Sequence, residues 1–131
     1  MNLKYVKGSY MDEIMVDGRP VLFTLDGLPE GREEQAQQYA EEIWNWVLEH
    51  QSQVVSHAPL IAGFKNKKWR SEGEPEVSAD DIIGCLQRIT SIYATYQEGF
   101  DVFFDTNAVF EERSLVISIG KNFFFEGFKL L

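Results

Sequence analysis

The chain has 131 residues, 44% of them hydrophobic and 14% aromatic, with 12 Lys and Arg against 21 Asp and Glu and a formal net charge of −9. That length and composition fit a single domain, residues 1–131, whose core needs neither a disulfide nor a structural metal. Affinity for nucleic acid rests on Lys and Arg displacing counterions, so this charge argues against DNA, RNA or an anionic membrane as a partner and points to a basic protein instead.

Residues Leu3–Val6 and Met11–Val16 have strand character. Asp17-Gly18, followed by Arg19-Pro20 and the run Val21–Leu25, predicts a hairpin closed by a two-residue turn. Pro20 has no N–H to offer a ladder, which places this hairpin at or near a sheet edge. The first twenty residues hold no continuous apolar stretch of the kind a signal peptide needs, and the longest apolar runs fall far short of a bilayer span. With the single cysteine, Cys85, these features predict a cytoplasmic location.

From about Glu30 to Ser56 the apolar period becomes helical. Ala36, Ala40, Ile43, Val47 and Val54 form one stripe, widened by Tyr39, Trp44 and Leu48, with Glu34, Gln38, Glu41, Asn45 and Glu49 on the other side. Pro59 is read as the stop of this long helix. Residues 63–77 read as a surface loop, in which Lys65, Lys67, Lys68 and Arg70 are answered by Glu72, Glu74 and Glu76, with Trp69 lending order.

Ser78 with Asp81 three residues on resembles a capping box and opens a second, short helix whose apolar face carries Ile82, Cys85, Leu86 and Ile89. Beyond it the period becomes two. Segments 90–97, 100–105, 114–119 and 123–130 alternate and are joined by the turn-prone pairs Glu98-Gly99, Thr106-Asn107 and Lys121-Asn122, an antiparallel meander of four strands. The expectation is therefore an α+β domain: an antiparallel sheet made of an N-terminal hairpin and a C-terminal four-strand meander, covered on one face by one long and one short helix.

The stretch from Ser78 to Gly120 resembles the C-terminal half of a bacterial family, domain of unknown function 2262. The likeness lies in the short helix, a strand with Ile92, then Phe103-Phe104-Asp105, Phe110, and the strand Ser114-Leu115-Val116-Ile117. A Gly-His pair normally follows the aromatic segment in that family, whereas this chain has Glu112-Arg113 there. The resemblance implies a fold and a bacterial cytoplasmic origin but no activity.

Chemistry-bearing residues are sparse, and no cofactor is expected. His50 and His57 are the only imidazoles, too few for a three-histidine zinc site. His50 reads as a partly buried, hydrogen-bonded group and His57 as a surface one. Cys85 reads as a small buried hydrophobe. The leading expectation is a non-enzymatic protein-binding domain, of immunity or regulatory type, that meets a basic partner with Glu34, Glu41, Glu49 and Trp46, the last at the margin of the apolar stripe. The alternative is a small metal-assisted hydrolase built on Asp105, Glu111 and Glu112, since hard cations take oxygen ligands of this kind. Asp101, four residues before Asp105, would add to that carboxylate cluster. A third, structural reading has the chain form a homodimer by burying Trp46 or the edge hairpin.

Overall fold

Strands come first and last in the computed structural model, with the helices between them. It describes residues 1–70, 72–106, 109–110 and 113–131. The order is β1 (Lys4–Val6), β2 (Ser9–Val16), β3 (Arg19–Asp26), α1 (Glu33–Glu49), α2 (Gln51–Val55), α3 (Ala58–Lys68), α4 (Ala79–Leu86), β4 (Ile89–Thr95), β5 (Gly99–Phe104), β6 (Leu115–Gly120) and β7 (Phe125–Leu130). All seven strands lie in chain order in one sheet.

The turn between β2 and β3 is Asp17-Gly18, with φ of 51° and 76°, the left-handed backbone that a two-residue hairpin turn requires. Lys7-Gly8 repeats it, at φ of 50° and 94°, and pairs β1 with β2. The N-terminal unit is thus three strands rather than the expected hairpin alone: the stretch with strand character at Leu3–Val6 supplies β1 as the edge, and the β2–β3 hairpin lies next to it, near the edge as Pro20 suggests. Pro20 keeps its place inside the sheet because β3 meets β4 only from Leu22, opposite Ser91, so the missing N–H leaves no gap in that ladder.

β3 and β4 run parallel, from Leu22↔Ser91 to Asp26↔Thr95, which corrects the expectation of a purely antiparallel sheet. A parallel pair needs a long crossover, and all four helical segments lie between these two strands. From β4 to β7 every pairing is antiparallel, the meander that the alternation predicts. The fold is α+β on a mixed, mostly antiparallel sheet.

The helical region also departs from one long and one short helix. The chain leaves helical geometry at His50 (φ −111°, ψ 21°), so the first helix ends at Glu49 and α2 is a separate turn and a half. Pro59 begins α3 instead of ending a helix, since a proline in the first turn gives up an N–H that has no intrahelical partner there. α3 then runs to Lys68, through the first part of the segment 63–77 expected to be a loop. α4 carries the predicted capping box: Ser78 Oγ accepts from the Asp81 N–H at 3.2 Å, and Asp81 Oδ2 accepts from the Ser78 N–H at 2.9 Å.

One face of the sheet holds the core. Phe23 and Leu25 of β3, Ile92 and Ala94 of β4, Phe100, Val102 and Phe104 of β5, and Leu115, Ile117 and Ile119 of β6 pack in one cluster with Ala36, Ala40, Ile43 and Val47 of α1, Ile61 of α3 and Ile82 and Leu86 of α4. A bulge in β7 keeps this face apolar: Phe128 opposes Ile117 and Phe125 opposes Ile119, so two phenylalanines three apart point the same way. His57 stacks on Phe125 at 3.8 Å and Phe64 meets Phe128 edge-on at 5.4 Å. His57 is half-buried by that stacking and is not the surface group its sequence position predicts.

Candidate functional site

Five glutamates, Glu33, Glu34, Glu41, Glu42 and Glu49, lie on α1, and its 17 residues include no Lys or Arg. All five are exposed. Gln37 steadies the helix against the N-terminal segment: its amide accepts from the Leu3 N–H at 3.2 Å and donates to the Met1 carbonyl at 2.5 Å and to Glu41 Oε1 at 2.9 Å. Three ion pairs occur among the described residues, Lys65–Glu74, Arg70–Glu76 and Lys129–Asp101, and none of them neutralises α1.

The placement of these acids matters as much as their number. Glu33 and Glu34 in the first turn complement the helix macrodipole, but Glu49 stands in the last turn, where no basic residue offsets it and a negative charge works against the helix.

Trp46 borders this face and is half-buried. Its ring stacks on His50 (centroids 4.4 Å, planes 13° apart) and meets Phe100 edge-on at 5.6 Å, so it is fixed between α1 and the sheet. His50 Nδ1 lies 2.8 Å from the Trp46 carbonyl, the hydrogen-bonded, partly buried state expected of it.

Cys85 is fully buried and its thiol donates to the Thr106 carbonyl at 3.4 Å. Burial pushes this thiol up from its ordinary value, and neighbouring Arg88 only partly opposes the shift. That is the wrong direction for a nucleophile.

The carboxylates of the expected cluster are engaged separately. Asp101 accepts from Ser118 Oγ at 2.7 Å and faces Lys129 Nζ at 3.8 Å on the uncovered face of the sheet. Asp105 is exposed just beyond β5, its backbone N–H donating to the Arg88 carbonyl at 2.8 Å. Glu111 and Glu112 lie outside the described residues. Among the described residues no group of three His, Cys, Asp or Glu stands close enough to hold a metal ion, and no helix is long and apolar enough to cross a membrane.

The basic segment pairs as its sequence suggests, with one reversal. Arg70 meets Glu76 at 3.2 Å, and the Arg113 guanidinium lies 4.6 Å over the Trp69 ring. Lys65, however, is withdrawn from solvent, its ammonium donating to the Trp69 carbonyl at 2.6 Å and to Glu74 Oε1 at 2.9 Å.

Sequence reasoning did not single out the uncovered sheet face. Asp26 accepts there from both Ser9 and Tyr93, and the hydrogen bond to Asp26 raises the Tyr93 phenol above its ordinary value. Met15, Leu22 and Tyr93 are exposed on that same face. Its signal in the sequence is the alternation itself, whose second set of positions includes Met15, Leu22, Asp26 and Tyr93. No protein-family model, curated protein or solved structure matches the chain.

Proposed function

We propose that the chain is a non-enzymatic protein-binding domain of immunity or regulatory type, which docks a basic protein on the outer face of α1. Glu34, Glu41 and Glu49 make the charge contacts, and Trp46 stiffens the margin beside them. The observation that carries this reading is a helix with five exposed glutamates and no cation of its own, one of them at the end where the macrodipole opposes it. Charges held at the rim of an interface act mainly on encounter rate and partner choice, so association is fast at low salt and slows as salt screens it.

The domain works in the cytoplasm and needs no cofactor. Kinship with domain of unknown function 2262 is proposed on residues 78–120 alone, and it supplies no activity to set against a binding role. A homodimer through α1 is disfavoured, because a second copy brings the same sign of charge to the same helix.

Affinity capture from the cytoplasm of the source organism tests the proposal, using the natural chain in parallel with a variant carrying Glu34→Lys, Glu41→Lys and Glu49→Lys. The expected result is one basic protein retained by the natural chain and lost from the variant, with both baits equally folded by circular dichroism. Retention by both baits, or by neither, contradicts it.

A further inference from the structure

Where the parallel strands β3 and β4 begin, a cleft of about 260 Å³ opens between the sheet and α1. It is the acidic molecule's exception. Two of the chain's five arginines, Arg19 and Arg88, line it together with Trp44 and Leu48. Among the described residues neither arginine makes an ion pair, whereas Arg70 is paired with Glu76 and Arg113 covers Trp69.

Arg88 is the better constrained of the two. Its backbone N–H donates to the Cys85 carbonyl at 3.0 Å and its carbonyl accepts from Asp105, so the side chain departs from a fixed point. Its Nε is enclosed and has no hydrogen-bond acceptor among the described residues. The Cys85 sulfur beside it is a weak acceptor at best. Arg88 also follows the C-terminal end of α4, where a cation is favoured, and beyond the weak contact with Cys85 its guanidinium shows no hydrogen bond among the described residues. Arg88 is half-buried with its Nε enclosed, and a guanidinium partly withdrawn from water and in no ion pair among the described residues has an oxyanion as its natural complement.

We propose that this cleft binds a small organic monoanion, a carboxylate gripped by Arg88 and Arg19 whose apolar body lies against Trp44 and Leu48. Guanidinium and carboxylate match as a planar, two-bond pair. Asp17 in the lining and the chain's net charge of −9 disfavour polyanions, which limits the ligand to a single charge. The volume lies just below the usual range for drug-sized ligands and suits an acid with one ring. The site uses the flank of α1 that carries Trp44 and Leu48 and none of its glutamates, and it is tested without reference to the protein-binding reading.

Titration calorimetry and thermal melting with three probes, phenylacetate, its neutral isostere phenylacetamide and inorganic phosphate, test the proposal on the intact chain. Phenylacetate is expected to release or absorb heat with one-to-one stoichiometry and to raise the melting temperature, with phenylacetamide and phosphate each at least about tenfold weaker. Arg88→Gln and Arg19→Gln are each expected to weaken phenylacetate about tenfold, and Arg88→Lys, which keeps the charge and loses the fork, to weaken it as well. Arg19 is exposed at the start of β3, so Arg19→Gln decides the matter if Arg88→Gln fails to fold. The Glu34, Glu41 and Glu49 to Lys variant is expected to keep the site. No heat with phenylacetate, equal binding of acid and amide, equal binding of phosphate, or indifference to Arg19→Gln overturns the proposal.

Discussion

A lysine that is 1% exposed must be held by something, and Lys65 is held by both the Trp69 carbonyl and Glu74. Glu74→Gln removes the counter-charge while leaving the ammonium enclosed, which costs about 1–3 kcal/mol because a buried charge is far dearer unpaired than paired. Adding Lys65→Met, which keeps the apolar stem and removes the charge, is expected to restore part of that loss. Urea unfolding of the single and double variants reads the difference; an additive double variant shows that the pair is not coupled.

Two buried acids of the neutral type, Tyr39 and Cys85, contribute to stability at alkaline pH. Burial raises the Tyr39 phenol, with the Gly99 and Gln97 amides partly countering it, and burial likewise raises the Cys85 thiol. Their folded-state values therefore exceed those of the unfolded chain, which gives up these protons first as pH rises. The stabilisation is complete below the ordinary thiol value of 9.0 and phenol value of 10.0, and is lost as pH climbs through the raised ones. Melting temperature is expected to fall above about pH 9, and Tyr39→Phe and Cys85→Ala to flatten that decline; an unchanged slope in both variants contradicts it.

Among the elements, α4 is the one whose start is most sharply specified. Ser78→Ala removes the side chain that accepts the Asp81 N–H and is expected to lower stability by about 1 kcal/mol. Glycines divide by what surrounds them. Gly63 in α3 and Gly84 in α4 have helical backbone and open space around a would-be Cβ, so alanine at either is expected to raise stability by about 0.5–1 kcal/mol. Gly99 has φ of 112° and a Cβ there would sit 2.5 Å from the Ile119 carbonyl oxygen, so Gly99→Ala is expected to cost more than about 2 kcal/mol. Thermal melts that fail to separate these two groups contradict the packing described.

These elements also show what a sequence can and cannot carry. The capping box, the Asp17-Gly18 turn and the alternation of β5 and β6 are local signals, complete within a few residues, and they are legible. The parallel pairing of Leu22 with Ser91 joins residues separated by every helix in the chain, and no local pattern announces it. α3 escaped notice because Pro59, Gly63 and a run of lysines look like loop chemistry until Lys65 is seen to be buried. In the same way the glutamates of α1 were readable as one polar helix face, whereas Arg19 and Arg88 meet only through the sheet.

At the scale of the whole molecule, four helical segments cover one side of a seven-stranded sheet, and the charge is distributed unevenly over what remains exposed. Opposite charges pair around α3 and on β7, while the acids of α1 find no cation among the described residues. Two surfaces are therefore open to the proposed partner: the outer face of α1, and the uncovered sheet with Met15, Leu22 and Tyr93. The sheet surface mixes Lys4 and Lys129 with Glu13, Asp26 and Asp101, whereas the outer face of α1 is uniformly acidic. The docking proposal accordingly rests on α1, and the rate at which a partner associates there is expected to fall steeply with added salt.

Amide hydrogen exchange on the captured complex distinguishes the two surfaces most directly. Slowed exchange over residues 33–49, with the amides of β3 to β6 unchanged from the free chain, is expected of a partner seated on α1. Protection confined to the sheet, with α1 exchanging as in the free chain, contradicts it.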